Sequence, residues 1–159
     1  MYNFLYKDYT INGDYMNKNN ELLSHIYNIS DMGVKSTTSL INILKTKDNK
    51  IKSILEYELK KYEEIFKESK KLVKKENITP KGTSMMLDIM TNIEMKTRVL
   101  KDNSDSAMAG LLIEGFNMGI IETEKKLKEY KDSERNIIKL ASRLLKFQKE
   151  EIDKLKEYL

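Results

Sequence analysis

A single proline, Pro80, stands in a chain of 159 residues, and only six glycines accompany it. Proline and glycine are the residues that interrupt helices most, so long stretches on both sides of Pro80 are free to be helical. Through those stretches apolar residues recur every three or four positions, the period of an amphipathic helix. The pattern predicts an all-α chain with helices at about 20–46, 48–76, 83–101, 105–130 and 133–158. Pro80 and Gly82 mark the break after the second segment. A second break precedes Asp105, where Ser104 is placed to cap the next helix. The first and second segments, and the fourth and fifth, are separated by only a few residues, so each pair must fold back as an antiparallel hairpin. The stretch between the hairpins is about twenty residues, roughly 30 Å as helix. That length can carry the chain from one end of a bundle to the other.

Residues 20–159 are read as one domain, as the length implies. Residues 1–19, polar and rich in Tyr and Asn, are expected to be a partly disordered or loosely packed arm, with room for a short strand. Met16, followed by Asn17, Lys18, Asn19 and Asn20, is a candidate alternative start.

The hairpins align with each other at an offset of 86 residues. Asp31-Met32-Gly33-Val34 falls on Asn117-Met118-Gly119-Ile120, Thr37 on Thr123, Ile51 on Ile137, Leu59 on Leu145 and Tyr62 on Gln148. One gapless offset covers both helices of a hairpin, which is the mark of an internal repeat.

Helical phase then separates the inner faces. The first helix turns Leu22, Ile26, Ser30, Gly33, Thr37, Leu40, Ile41 and Leu44 inward, and the fourth Met108, Leu112, Phe116, Gly119, Thr123, Leu127 and Tyr130. The second offers Ile51, Leu55, Glu58, Leu59, Tyr62, Phe66 and Val73, and the fifth Ile137, Ala141, Leu144, Leu145, Gln148, Ile152, Leu155 and Leu159. Gly33 and Gly119 cost about 1 kcal/mol each in a helix interior, which points to close helix packing or to space for a ligand. Buried Thr37 and Thr123 are expected to bond to the preceding helical turn. Glu58 is the sharpest feature, because an inward carboxylate needs a partner or a raised pKa. Tyr62, Gln148, Ser30, Thr37 and Thr123 are the polar groups that phase sets near it, and Glu58, Tyr62, Gln148, Thr37 and Thr123 form a candidate buried polar network or ligand site. His25, the only histidine, is phased away from the core as a surface or flanking residue.

Composition excludes several chemistries. The chain has no cysteine, hence no disulfide, thiolate metal site or thiol nucleophile. The net charge of +4 is spread out, and the arginines are three, so no nucleic-acid stripe is expected. The run Lys70, Lys71, Lys74, Lys75 suits the C-terminal end of a helix dipole. No apolar run is long enough to span a membrane, and the N-terminus lacks the pattern of a signal peptide. A cytoplasmic location is the expectation. There is no Gly-rich phosphate loop, and no catalytic residue is assigned.

With its paired hairpins, long connection and polar group at mid-bundle, the stretch Asn20–Tyr158 resembles the ferritin-like superfamily of four-helix bundles, and most of all an uncharacterised bacterial branch with a short extra helix in the crossover. Active ferritin-like proteins carry a Glu on each of two helices and a Glu-x-x-His on each of the other two. This chain has one histidine and no Glu-x-x-His. Glu114 and Asp31 point outward, which leaves Glu58, with Glu63 and Glu114 as weak further candidates for a metal. The resemblance therefore implies a non-catalytic bundle, with no cofactor expected, that acts through self-association (a homodimer) or protein binding. Met85, Met86, Met90 and Met95 would supply an adaptable surface or a lid over the core. The alternatives are a metal-binding protein with a non-standard carboxylate site, a structural stress- or spore-associated protein, and a small-molecule binder with an apolar cavity near Gly33 and Gly119.

Overall fold

The chain was analysed as a computed structural model that describes the backbone of residues 3–82 and 94–159 and the side chains of residues 17–82 and 95–159. Every regular element among them is helical: α1 (Asn3–Ile43), α2 (Lys52–Lys75), α3 (Glu94–Lys101), α4 (Asp105–Glu129) and α5 (Arg135–Leu155), with a closing 3-10 turn at Lys156–Tyr158. Residues 83–93 of the expected third helix, with Met85, Met86, Ile89, Met90 and Ile93, lie outside the described residues.

Helix α1 is described from Asn3 onward, so the backbone of residues 3–19 continues the first helix and forms no strand. No proline stops it, and Gly13 is the one strong helix breaker before Gly33. The end of α2 shows how local sequence closes a helix. Asn77 takes a left-handed backbone conformation with φ 51°, which asparagine tolerates better than most residues. Its N–H donates to the Lys74 carbonyl at 3.3 Å, and the Ile78 N–H donates to the Val73 carbonyl at 3.0 Å. This double bond pattern, with Ile78 and Val73 both packed on the core, is the Schellman termination. Pro80 follows and prevents resumption. At the start of α4 the Ser104 hydroxyl accepts from the Ala107 N–H at 3.2 Å, as its place before the apolar run predicts.

The starts of α2 and α5 have no cap of their own. Each is capped from the other hairpin. Asp105, the first residue of α4, accepts from Asn49 Nδ2 at 2.9 Å, Lys50 N at 3.1 Å and Ile51 N at 3.3 Å. Asn19, in α1, accepts from the Glu134 N–H at 2.8 Å. These bonds place the start of α2 beside the start of α4, and the start of α5 beside the α1 segment at residue 19.

Packing runs mainly within the pairs α1–α2 and α4–α5, and α1 also meets α4 and α5. Contacts step in opposite directions along α1 and α2: Tyr27 meets Phe66, with ring centroids 5.0 Å apart, and Gly33 meets Tyr62. The core is aliphatic at both ends, with Leu22, Leu23, Ile26, Leu44, Ile51, Leu55 and Ile137 fully buried. Its middle is aromatic. Tyr62 of α2, Phe116 of α4 and Phe147 of α5 form a triangle with centroids 5.1 to 6.2 Å apart, edge-to-face at both Phe147 contacts, a favoured geometry. Most positions phased inward are buried. Leu159 is not: it is 67% exposed, because the last turn carries it away from the core.

Candidate functional site

Glu58 is buried to 0% exposure, and neither carboxyl oxygen has a hydrogen-bond partner. Its place follows from phase: it lies three residues after buried Leu55 and four before buried Tyr62 on α2. Burial raises its pKa well above the usual carboxylate value; nearby Glu151 raises it further, and Lys154 works against both.

Glu151 of α5 is the neighbour that phase analysis of the sequence missed. It is 1% exposed. Its Oε1 accepts from Lys154 at 2.6 Å, whereas Oε2 has no partner. The signal was available: Glu151 lies three residues past Gln148 and four before Leu155, on the same stripe. Burial raises its pKa, and the Lys154 contact opposes that.

One turn along the same pair of helices, Tyr62 and Gln148 meet. Burial holds the Tyr62 phenol far above its usual value, Glu58 pushes it further, and a hydrogen bond from Gln148 works in the opposite direction. Gln148 is 1% exposed and its Oε1 is unpartnered. Facing α2 and α5, the two glycines make room. A Cβ on Gly33 would sit 2.4 Å from the Tyr62 ring, and one on Gly119 would sit 2.4 Å from Gln148 Nε2. Gly33 and Gly119 thus take the close approach of a bulky side chain from the partner helix of their own hairpin.

Beside this quartet lies a cavity of about 100 Å3 between α1 and α4. Ile29, Met32, Thr37 and Leu40 line it from α1, Leu111, Leu112, Phe116 and Met118 from α4, and Met95 from α3. Glu58, Tyr62 and Gln148 form its polar wall, and Gly33 and Gly119 both border it. Of the five residues proposed as a polar network, four line this cavity. Thr123 does not. It is buried on the other side, where its Oγ1 meets His25 Nε2 at 2.9 Å. The back-bonding expected of the threonines is made by Ser30 and Ser36, which donate to the carbonyls of Ile26 at 2.7 Å and Met32 at 2.9 Å.

His25 is therefore the flanking residue of that expectation and not a surface one: it is half-buried. It packs against α4, and burial, with Lys126 nearby, lowers its pKa to about 4 against the pull of Glu122. Helix phase by itself placed it off the core centre; the approach of α4 to that flank covers it.

The weak metal candidates lead away from Glu58. Glu63 is exposed. Glu114 is held by Arg98 in a two-pronged pair at 2.6 and 2.9 Å. Among the described residues no group of three or more His, Asp and Glu side chains is arranged to hold a metal ion, and none of the helices is long and apolar enough to cross a membrane. The lysine run borders an open groove with Val34, Glu63 and Phe66, where Lys70 lies over the Phe66 ring at 5.3 Å.

No family model, no curated protein and no solved structure matches this chain.

Proposed function

We propose that the protein is a ferritin-like four-helix bundle, two antiparallel hairpins joined by a long crossover with a short extra helix, that has no dinuclear metal centre and binds a small molecule in its core. The cavity at Gly33 and Gly119 carries this reading. It is apolar over most of its lining and polar on one wall, the usual make-up of a small-molecule site. Its size is far below that of a drug-sized pocket, since about 100 Å3 compares with an apolar cavity of about 150 Å3 that admits benzene.

The internal repeat is part of the proposal. Gly33 under Tyr62 and Gly119 under Gln148 are two copies of one contact at the 86-residue offset. Asp105 and Asn19, the two reciprocal caps, obey the same offset. The fully buried carboxylate breaks the repeat, because Glu58 corresponds to Leu144.

Titration with neutral n-butanol, followed through the methionine methyl resonances of Met32, Met95 and Met118, tests the binding reading. Selective, saturable shifts at these three are expected. Uniform or absent shifts at millimolar ligand would sink it. Self-association remains the second reading, resting on exposed Tyr57, Leu100, Ile121 and Leu159. They are divided among α2, α3, α4 and the C-terminus. Light scattering on the purified protein tests it, and a strictly monomeric mass would remove it.

A further inference from the structure

On α2, Lys67, Lys70, Lys71 and Lys74 are spaced so that each has two of the others three or four residues away. Residues at these spacings are neighbours on the helix surface, and like charges there weaken the helix. The helix dipole favours cations in the last turn alone. That turn holds Lys74 and Lys75, whereas Lys67, Lys70 and Lys71 lie before it. Ion pairing does not offset the repulsion. Among the described residues none of the four lysines forms an ion pair. Nearby acidic groups are engaged by other cations: Glu64 by Lys61 at 3.2 Å, Glu68 by Arg143 at 2.5 Å and Asp31 by Lys35 at 2.5 Å.

The same four lysines border the open groove between α1 and α2, which has a volume of about 490 Å3. All four are exposed, while Val34 of α1 and Phe66 of α2 are half-buried, so the groove has an apolar floor and a cationic rim. Lys70 Nζ lies 5.3 Å from the centroid of the Phe66 ring, which stations one ammonium over that floor. Glu63 is the acidic residue of the lining, and it leaves the positive charges well in excess. The volume falls within the usual range for small-molecule sites, roughly 300–1,000 Å3.

We infer that this groove binds a soluble phosphate monoester with a short apolar tail, its phosphate among the ammonium groups of Lys67, Lys70, Lys71 and Lys74 and its hydrocarbon on Val34 and Phe66. The site shares no lining residue with the core cavity, so the inference stands apart from the cavity-binding reading. A phosphate monoester carries about −1.5 to −2 charges at neutral pH, so it relieves more of the lysine repulsion than a carboxylate does. Lysine binds phosphate as a mobile point charge, and no arginine lines the groove to select a planar anion by a two-pronged contact. A bilayer surface fits less well. It would have to reach Val34 and Phe66 at the bottom of the groove, and neither is among the exposed large apolar side chains.

The test is calorimetry and amide NMR on the full chain with n-hexyl phosphate, n-hexanoate and inorganic phosphate at equal ionic strength. A second protein, Lys67→Gln/Lys71→Gln, loses two mutually repelling charges and is expected to fold, which helical circular dichroism checks. For the wild-type protein, n-hexyl phosphate is expected to bind roughly tenfold or more tighter than either other anion, with shifts at Val34 and Phe66. The double variant is expected to lose roughly tenfold of that affinity. Equal binding of inorganic phosphate overturns the apolar half of the site, and equal binding of n-hexanoate overturns the choice of phosphate. Unchanged affinity in the double variant overturns the location. Absence of n-hexyl phosphate binding overturns the whole inference. If the protein then sediments with phosphatidic acid vesicles and not with phosphatidylcholine vesicles, the lysines form a membrane-facing patch instead.

Discussion

At the scale of single residues, Glu58 carries the clearest cost to stability, because its buried carboxyl has no hydrogen-bond partner. Its folded pKa lies above that of the unfolded chain, so the folded state favours the protonated form. The stabilising contribution is full below the unfolded value, about 4.3, and is lost as pH rises through the folded pKa. At neutral pH the buried Glu58 therefore weakens the fold. Glu58→Gln is expected to stabilise the protein at pH 7 by on the order of 1–3 kcal/mol. Thermal melts at pH 7 and pH 4 check this: the midpoint gain should be clear at the first and shrink towards zero at the second. His25 has the opposite sign. Its pKa falls from 6.5 to about 4, so its contribution is full above 6.5 and is lost as pH falls towards 4. Each pKa unit is worth about 1.4 kcal/mol, giving a loss of about 3 kcal/mol at most across that window. Urea unfolding of His25→Gln from pH 7 to pH 4 should show a flatter decline than the wild-type protein.

The glycines separate two meanings of one residue type. Gly33→Ala drives a Cβ into the Tyr62 ring, which is packed against Phe116 and Phe147 and cannot retreat. Overpacking of this kind costs about 1–3 kcal/mol, more than the helix propensity gained. Gly119→Ala meets the end of the Gln148 side chain, which has torsions to turn away, so a smaller loss is expected. Gly110→Ala meets nothing within 4 Å and should stabilise α4 by about 0.5–1 kcal/mol. Chemical denaturation of the three variants should give that order: Gly110→Ala above the wild-type protein, Gly119→Ala below it and Gly33→Ala lowest.

At the scale of elements, the helix starts are the informative places. The start of α2 depends on Asp105, whose pKa is held below the usual value by bonds from Asn49, Ile51 and Lys50 that together outweigh its burial. Loss of a capping side chain costs about 0.5–2 kcal/mol. Asp105→Ala is expected to destabilise by that amount, with hydrogen exchange rising at the first turn of α2 as well as in α4. Because the folded pKa is depressed, this contribution is present above about 3.9 and lost as pH falls through the folded value. Exchange confined to α4 would show that the cap does not act across the hairpins.

Positions of the helices were legible in the sequence to within a few residues for α2, α4 and α5, because apolar periodicity, Ser104 and the Asn77–Pro80 break act locally. The first helix was read too short at its beginning. Local polarity over residues 1–19 is a weak signal against helix when no breaker but Gly13 is present.

At the scale of the whole molecule, the caps given by Asp105 and Asn19 tie each hairpin to the other, so neither pair of helices has all its ends satisfied alone. One cooperative transition is the expected behaviour, with fluorescence of the tyrosines and helical circular dichroism changing together. Separate transitions for the two probes would mean that the hairpins unfold independently.

The site was legible in part, and the division has a physical cause. Helical phase is a property of one chain segment, so the sequence by itself determined that Glu58, Tyr62, Gln148, Gly33 and Gly119 face inward and that an all-helical chain results. Which inward groups meet depends on the rotation and approach of neighbouring helices, which no single segment encodes. Only the tertiary structure decided that Glu151 joins Glu58, that Thr123 turns to His25 and away from the network, and that Glu114 is taken by Arg98. The same packing left about 100 Å3 between α1 and α4 unfilled, and gave the unpaired carboxylate of Glu58 a cavity to border.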